Sequence, residues 1–193
     1  MTDNRVLSTL GLFIRPGFLD KVACARLCDA ITCGDLSEAE IYDGHGPTVA
    51  PAVRKTRETS LAGALRDDVQ ARMNALIPAL TSHFDAPIRE SEGTTFLMYE
   101  AGGFFRPHRD RGAPGTQRRV SAVAFLNEPS TAPGPMTYSG GRLILYGLVP
   151  EVPDVCFPVD PEPGLLVAFD ANILHEVTLV LEGRRLTAVD WFF

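Results

Sequence analysis

Three side chains in this sequence have the types and spacing of a catalytic metal site. His108 and Asp110 stand two residues apart, and His175 follows much later in the chain. Residues two apart on a β-strand point to the same side, so His108 and Asp110 can face one ion together. Two imidazoles and one carboxylate are the ligand set that binds iron(II) on one face and leaves the other face open for chemistry. We therefore predict a metal site made by His108, Asp110 and His175.

An arginine ten residues after His175 is the second feature with chemical meaning. Strand alternation places Arg185, Thr187 and Trp191 on one face. A guanidinium binds a carboxylate through two parallel hydrogen bonds, the Thr187 hydroxyl can add a third, and Trp191 would line the same pocket. The pattern predicts a pocket for a dicarboxylate co-substrate, 2-oxoglutarate. The alternative is a surface arginine in a salt bridge.

The three ligands alone leave the identity of the metal open, because catalytic zinc also takes three protein ligands and a water. Arg185 favours iron(II) with 2-oxoglutarate, since a zinc hydrolase needs no cation ten residues after its last histidine ligand. Asp110 also favours hydroxylation over halogenation, because a small residue in its place would open a coordination position for a halide. His45 and His83 lack comparable neighbours, and we expect them to be structural.

Composition limits the class of protein. The chain of 193 residues is 45% hydrophobic and 22% charged, which predicts one globular domain with a sizeable core. The net charge of −6 disfavours a protein that binds nucleic acid by neutralising phosphates. We see no leader-like segment and no apolar run near the ~20 residues of a membrane span, so we expect a cytoplasmic protein with no membrane part. The sequence indicates no oligomeric state.

The four cysteines, Cys24, Cys28, Cys33 and Cys156, match no common zinc pattern. Cys24 and Cys28 are one helical turn apart and share a helix face. A metal or redox cluster is one interpretation. Small buried side chains in a reducing cytosol are the favoured one.

The first half of the sequence is predicted to form a helical layer with a loop. Phe18–Thr32 has apolar residues at helical spacing. Ser60–Phe84 is predicted as a second helix, with Pro78 expected to kink its last turns. The polar residues 41–57 between them contain glycine and proline and are typical of a segment that covers a binding site. Residues 1–93 would therefore form an N-terminal helical layer and lid loop.

The second half has the sequence pattern of a β protein, with short apolar or alternating runs separated by glycine, proline and asparagine. The predicted strands are Thr94–Glu100, Phe104–Arg109, Arg119–Asn127, Gly141–Tyr146, Cys156–Val159, Leu165–Asp170, His175–Val180 and Arg184–Phe193. Eight short strands in about a hundred residues favour a double-sheet jelly roll. We expect a mainly β fold with flanking helices (α+β), in which residues 1–193 form a single oxygenase domain and 94–193 its catalytic core.

The order of these motifs resembles the prolyl 4-hydroxylase-type branch of the iron(II)/2-oxoglutarate dioxygenases. The resemblance is carried by Tyr99-x-x-Gly102, His108-x-Asp110, Gly140-Gly141-x-Leu143, Pro163-Gly164, His175-Glu176-Val177 and Gly183-x-Arg185-x-Thr187. It implies a double-stranded β-helix whose helices pack on the larger sheet. It also implies that iron is bound by the two histidines and the aspartate.

The resemblance further implies how the co-substrate binds. Arg185 and Thr187 would hold the distal carboxylate of 2-oxoglutarate while its keto acid end chelates iron. Tyr99 matches a tyrosine that contacts the co-substrate, although a core aromatic is the alternative for this residue. We include Leu143 and Trp191 among the residues that bind it.

Two departures separate the chain from named branches of the family. Oxygen-sensing members carry a second co-substrate tyrosine where this chain has Phe125, which offers no hydroxyl. Collagen-type members carry lysine at the position of Arg185. The resemblance therefore gives the reaction class more closely than the substrate.

The implied activity is hydroxylation of an unactivated C–H bond with O2, releasing succinate and CO2, with ascorbate as a candidate reductant. The substrate would be a prolyl or other peptidyl or amino-acid residue, and the loops 43–57 and 128–139 would cover it. One alternative is a non-catalytic sensor that binds metal and 2-oxoglutarate. A weaker one is a nucleic-acid demethylase, because relatives with that activity carry a second arginine where this chain has Trp191.

Overall fold

The computed structural model describes residues 4–42, 46–111, 117–149, 151–152 and 155–193. Its helices are α1 (Asn4–Thr9), α2 (Lys21–Cys33), α3 (Ala64–Asn74) and α4 (Ile77–Phe84). Its strands are β1 (Leu12–Arg15), β2 (Ser37–Glu38), β3 (Ile41–Tyr42), β4 (Pro47–Thr48), β5 (Arg54–Lys55), β6 (Arg57–Thr59), β7 (Thr95–Glu100), β8 (Phe104–His108), β9 (Val120–Phe125), β10 (Tyr138–Gly140), β11 (Leu143–Tyr146), β12 (Cys156–Pro158), β13 (Leu166–Asp170), β14 (Leu174–Val177) and β15 (Val180–Phe192). Every predicted strand is present.

Two antiparallel sheets form the β core. The larger sheet has the order β1-β13-β9-β15-β7-β6-β2, with β10 added beside β15, and the smaller sheet has the order β12-β11-β14-β8-β5. Phe125, Val167 and Phe169 of the larger sheet pack against Leu143 and Leu145 of the smaller one. The predicted mainly β fold with a double-stranded β-helix core is confirmed.

The helical layer covers the outer face of the larger sheet. In one hydrophobic cluster, α2 contributes Leu27 and Ile31 while α3 contributes Met73, and the sheet contributes Phe96 and Leu186. Each of these side chains is at most 1% exposed. The expectation that the helices pack on the larger sheet is therefore correct.

The prediction of one continuous helix over Ser60–Phe84 is wrong. The structure has two helices in this stretch, α3 and α4, which are separated after Asn74. Pro78 lies in the first turn of α4, where its missing N–H leaves no hydrogen bond unmade. Inside a longer helix its ring would clash with a carbonyl four residues earlier, so the chain begins a new helix instead of bending the old one.

The N-terminal half also contains elements that the sequence did not indicate. Helix α1 precedes the sheet, and the short strands β2 and β6 extend the larger sheet beyond β7. Residues 43–45 of the predicted lid, including His45, lie outside the described residues. No helix in the described ranges has both the length and the apolar character needed to span a bilayer.

The cysteines and His83 have structural surroundings. Cys24 and Cys28 lie on the buried face of α2, and burial raises the pKa of their thiols to about 11 and about 12. All four cysteines are free thiols. His83 is buried beside Phe13, with its Nε2 atom 2.5 Å from a backbone carbonyl. These contacts agree with the structural roles predicted for Cys24, Cys28 and His83. Cys33 and Cys156 are exposed, so the prediction of buried side chains is wrong for these two.

A buried carboxylate ties the segment before β7 to β15, the strand that carries Arg185. Asp190 on β15 is fully buried and accepts hydrogen bonds from the Ser91 hydroxyl at 2.8 Å and the Thr94 hydroxyl at 3.1 Å. It also accepts from the backbone N–H groups of Gly93 and Trp191. The network holds residues 91–94 against β15, just before β7 begins.

Removing this carboxylate should destabilise the fold. In Asp190→Ala the same donors would be buried without an acceptor, so we expect the free energy of unfolding to fall by about 3 kcal/mol. Urea unfolding measures the loss. Asp68→Ala is the control, because Asp68 forms an exposed ion pair with Arg72 and its loss should change stability by about 0.5 kcal/mol or less. Equal stability of the two variants would contradict this role.

Candidate metal and co-substrate site

Two neighbouring strands of the smaller sheet bring the predicted metal ligands together. His108 ends β8 and pairs directly with His175 on β14, so the two imidazoles lie side by side. Asp110 follows β8, and its backbone N–H donates to the Ala171 carbonyl at 3.0 Å. The cross-strand pair and this turn place two histidines and one carboxylate around a common point.

The distances within this group fit one metal ion. Asp110 Oδ1 lies 3.6 Å from His108 Nε2, and Asp110 Oδ2 lies 3.4 Å from His175 Nε2. All three ligand atoms lie within 4.8 Å of one another. Ligands at about 2.1 Å from an ion, at right angles, are separated by about 3 Å, so small side-chain shifts would close the site.

Both imidazoles are oriented with the same nitrogen toward the site. His108 Nδ1 lies 2.8 Å from the Arg106 carbonyl, and His175 Nδ1 lies 2.9 Å from the Ile173 carbonyl. A carbonyl can only accept, so Nδ1 carries the proton and Nε2 keeps its lone pair for a metal. Burial and the neighbouring His175 lower the pKa of His108 to about 4. At neutral pH His108 is therefore an uncharged ligand.

A serine on the larger sheet orients the aspartate. The Ser121 hydroxyl donates to Asp110 Oδ2 at 2.6 Å. Burial raises the pKa of Asp110, but His175, His108 and the Ser121 hydrogen bond outweigh it, so the pKa lies below its usual value. Sequence analysis missed Ser121. The available signal was one polar residue in the otherwise apolar run Val120–Phe125.

Loss of the Ser121 hydroxyl should weaken metal binding. Outer contacts of this kind change metal affinity by about 10- to 100-fold, and we expect Ser121→Ala to raise the iron(II) Kd about tenfold. Anaerobic competition with a chromophoric chelator measures it. The control is Ser130→Ala, because Ser130 is half-buried and its hydroxyl bonds the backbone of Ala132 within its own loop. An unchanged Kd in Ser121→Ala would show that Asp110 needs no such support.

Arg185 is buried in the core, and no acidic side chain among the described residues forms an ion pair with it. It pairs with Tyr99 across β15 and β7, is 1% exposed, and its guanidinium carbon lies 5.2 Å from the Tyr99 ring and 5.4 Å from the Phe125 ring. Within the described part of the chain, Arg185 Nε and Thr187 Oγ1 are buried and have no hydrogen-bond partner. Buried polar groups normally have partners, so this arrangement indicates a binding site for an anion.

One cavity between the two sheets connects the arginine to the metal ligands. Its lining includes every predicted site residue: His108, Asp110, His175, Arg185, Thr187, Tyr99, Trp191 and Leu143. The structure thus brings together side chains that are spread over more than ninety residues of sequence, from Tyr99 to Trp191. Arg185 and the predicted metal ligands therefore line one connected space.

A wider groove opens outside the metal position. It has a volume of about 490 Å³ and shares His108, Asp110 and Trp191 with the inner cavity. Arg54 and Phe105 also line both spaces, with the Arg54 guanidinium 4.9 Å from the Phe105 ring centre and that ring stacked on His108 at 3.5 Å. Sequence analysis placed Arg54 in the loop expected to cover the substrate but missed Phe105. The proximity of these two residues depends on β5 pairing with β8.

Comparisons with known proteins agree with this geometry. A family model described as the 2OG-Fe(II) oxygenase superfamily matches residues 94–193. A PKHD-type hydroxylase of Picosynechococcus sp. is 31% identical over 167 residues, which cover 81% of this chain and 68% of that protein. A PKHD-type hydroxylase of Nitrobacter winogradskyi is 30% identical over 172 residues, which cover 81% of this chain and 69% of that protein.

Solved structures show the same architecture. A prolyl-4-hydroxylase of Pseudomonas putida superposes with a TM-score of 0.77 at 25% identity, covering 98% of this chain and 96% of that one. A prolyl hydroxylase of Trichoplax adhaerens, solved with a peptide fragment of hypoxia inducible factor, gives a TM-score of 0.75 at 18% identity. It covers 98% of this chain and 86% of that one, and at this identity it supports the fold alone.

Proposed function

The chain belongs to the 2OG-Fe(II) oxygenase superfamily, and we propose that His108, Asp110 and His175 hold its iron(II) while Arg185 holds 2-oxoglutarate. One observation carries this assignment: the converging ligand atoms and the unpaired buried guanidinium line the same cavity. Two imidazoles and a carboxylate would hold iron(II) and leave it open for chemistry on its other face.

The protein's part of the reaction is to bind and orient. Iron(II) with 2-oxoglutarate and O2 supplies the oxidising chemistry, in which the co-substrate becomes succinate and CO2 and the substrate gains a hydroxyl. Arg185 binds the distal carboxylate through charge-assisted hydrogen bonds, and Thr187 adds its hydroxyl. Leu143 and Trp191 exclude water from the cavity and so strengthen these contacts. The Nδ1–H bonds of the two histidines fix the ligand geometry.

For the substrate we propose a prolyl or other peptidyl or amino-acid residue that binds in the outer groove. The groove volume of about 490 Å³ falls in the range of small-ligand sites, which fits a side chain with its flanking backbone. Similarity to the prolyl-4-hydroxylase of Pseudomonas putida makes prolyl peptides the first class to test. A duplex nucleic acid is disfavoured by the net charge of −6 and by Trp191 at the position of the second arginine.

The test of this function is succinate release from 2-oxoglutarate by the iron-loaded protein, in the presence and absence of ascorbate. Prolyl peptides and free amino acids are screened by mass spectrometry for the mass of one added oxygen atom. We expect slow succinate release without a substrate and faster release with the correct one. An iron-loaded protein that binds 2-oxoglutarate but releases no succinate under any condition would instead be the non-catalytic sensor.

Two further proposals concern the cell. We propose ascorbate as the reductant that keeps the iron ferrous, with stimulation of multiple-turnover assays as its test. We also propose a cytoplasmic location, which is supported by four free thiols, two of them buried. Fluorescent tagging of the full chain tests the location.

A further inference from the structure

A tyrosine that sequence analysis did not select lies next to the buried arginine. We infer that Tyr138 on β10 donates its hydroxyl to the distal carboxylate of 2-oxoglutarate, together with Arg185 and Thr187. This inference rests on the proposed function, because it concerns the same co-substrate site. It adds a binding residue from a strand that the sequence predicted to be a loop.

The first observation concerns three buried polar atoms, each of which requires a hydrogen-bond partner. Tyr138 Oη, Arg185 Nε and Thr187 Oγ1 are all buried, and none has a partner with good hydrogen-bond geometry in the described part of the chain. The Arg185 guanidinium lies close enough to the phenol oxygen to interact with it, which leaves the phenol proton free to donate. Tyr138 is 1% exposed, so solvent does not satisfy its hydroxyl. A carboxylate has two oxygens and about four lone-pair positions, so one anion can accept from all three groups.

The second observation is how the backbone brings Tyr138 to Arg185. Strand β10 pairs with the beginning of β15, with Tyr138 opposite Gly183. A Cβ atom placed on Gly141 would lie 3.0 Å from Arg185 Cδ and 3.5 Å from Tyr138 Cδ2, so both side chains pack over this glycine. Gly141 has a φ of +58°, which adds a second reason for glycine here. The phenol and the guanidinium therefore share one corner of the core.

The third observation is electrostatic. Burial raises the pKa of Tyr138, and the nearby Arg185 cation opposes that rise only in part. The phenol is therefore protonated at neutral pH and can donate. Phe125 lies on the same guanidinium at 5.4 Å but has no hydroxyl, so Tyr138 supplies a donor that the phenylalanine lacks.

The test compares two ligands that differ only in the distal carboxylate. Anaerobic calorimetry on the manganese(II)-loaded protein measures the Kd of 2-oxoglutarate and of 2-oxopentanoate. In Tyr138→Phe we expect the Kd of 2-oxoglutarate to rise about tenfold, as for loss of one hydrogen bond to a charged group. The Kd of 2-oxopentanoate should be unchanged. Tyr146→Phe is the matched control, since the Tyr146 hydroxyl bonds Glu176 on the smaller sheet, away from the inner cavity.

The outcomes separate this inference from the proposed function. If Arg185→Met loses 2-oxoglutarate binding and Tyr138→Phe binds it like the unaltered protein, the role of Tyr138 is wrong and the function stands. If both variants bind it normally, the co-substrate site itself is misplaced. An equal loss for both ligands in Tyr138→Phe would indicate a packing role only and would also overturn the inference.

A measurement on the unaltered sequence covers the case in which Tyr138→Phe does not fold. The protein is labelled with 3-fluorotyrosine, and its four tyrosines give at most four fluorine signals. We expect the Tyr138 signal to shift when 2-oxoglutarate binds and to stay in place with 2-oxopentanoate. Signals of Tyr42, Tyr99 and Tyr146 are identified with their own phenylalanine variants, which leaves the signal of Tyr138. No shift with 2-oxoglutarate at saturation would overturn the inference.

Discussion

Replacing His175 with alanine is expected to abolish iron(II) binding and all 2-oxoglutarate turnover. His175 lies opposite His108 on the neighbouring strand, and its Nε2 is 3.4 Å from the Asp110 carboxylate. Without it, two ligands remain on one strand and its turn, which is too few to enclose the ion. Loss of outer contacts alone weakens binding by about 10- to 100-fold, so loss of a ligand should raise the iron Kd by more than about a hundredfold.

Iron content after anaerobic loading and desalting, together with succinate release, measures this effect. Circular dichroism and thermal melting check that His175→Ala folds. His83→Gln is the matched control, because His83 is also a buried histidine but contacts Phe13 outside the cavity. The control should keep one iron per chain. A His175→Ala protein that retained iron and activity would remove His175 from the site.

Replacing Arg185 with methionine should separate co-substrate binding from metal binding. A buried charge pair that loses one partner costs about 2–5 kcal/mol, and we expect the 2-oxoglutarate Kd to rise by about a hundredfold or more. Iron(II) affinity should be unchanged, because Arg185 contacts no metal ligand. Anaerobic calorimetry with each ligand in turn measures the two effects.

The same substitution has a second expected result that is specific to an unpaired buried cation. In the absence of 2-oxoglutarate, the free energy of unfolding of Arg185→Met should exceed that of the unaltered protein by about 1 kcal/mol or more. The reason is that methionine fills the space without a buried charge. Adding 2-oxoglutarate should raise the melting temperature of the unaltered protein only. Arg184→Met, at an exposed arginine that pairs with Glu100 at 3.7 Å, is the control. Destabilised Arg185→Met protein with normal co-substrate affinity would assign Arg185 a structural role.

Most of the candidate site could be predicted from the sequence, because the chemistry of such a site depends on residue types that are rare inside proteins. His108 and Asp110 lie within one strand and turn, so alternation places them together without knowledge of the fold. For His175 and Arg185, residue type and position on a predicted strand suggested the role, but no local rule states which strand pairs with which. In the structure the pairing of β8 with β14, and of β15 with β7, makes these residues neighbours.

The features that the sequence did not indicate depend on contacts between distant segments. Serine and tyrosine hydroxyls are common, and only the placement of β9 and β10 shows that Ser121 meets Asp110 and that Tyr138 meets Arg185. Strand β10 lies in a proline-rich stretch that was predicted to be a loop, and its pairing with β15 is irregular. The break before Pro78 was missed because apolar spacing continues across it.

The most direct test of the account is a sequential anaerobic calorimetric titration with iron(II) and then with 2-oxoglutarate. We predict one iron(II) per chain, then one 2-oxoglutarate that binds tightly only after iron is present, since both the metal and Arg185 hold it. Tight binding of 2-oxoglutarate to the iron-free protein, or no stoichiometric binding of iron, would contradict a shared site for metal and co-substrate.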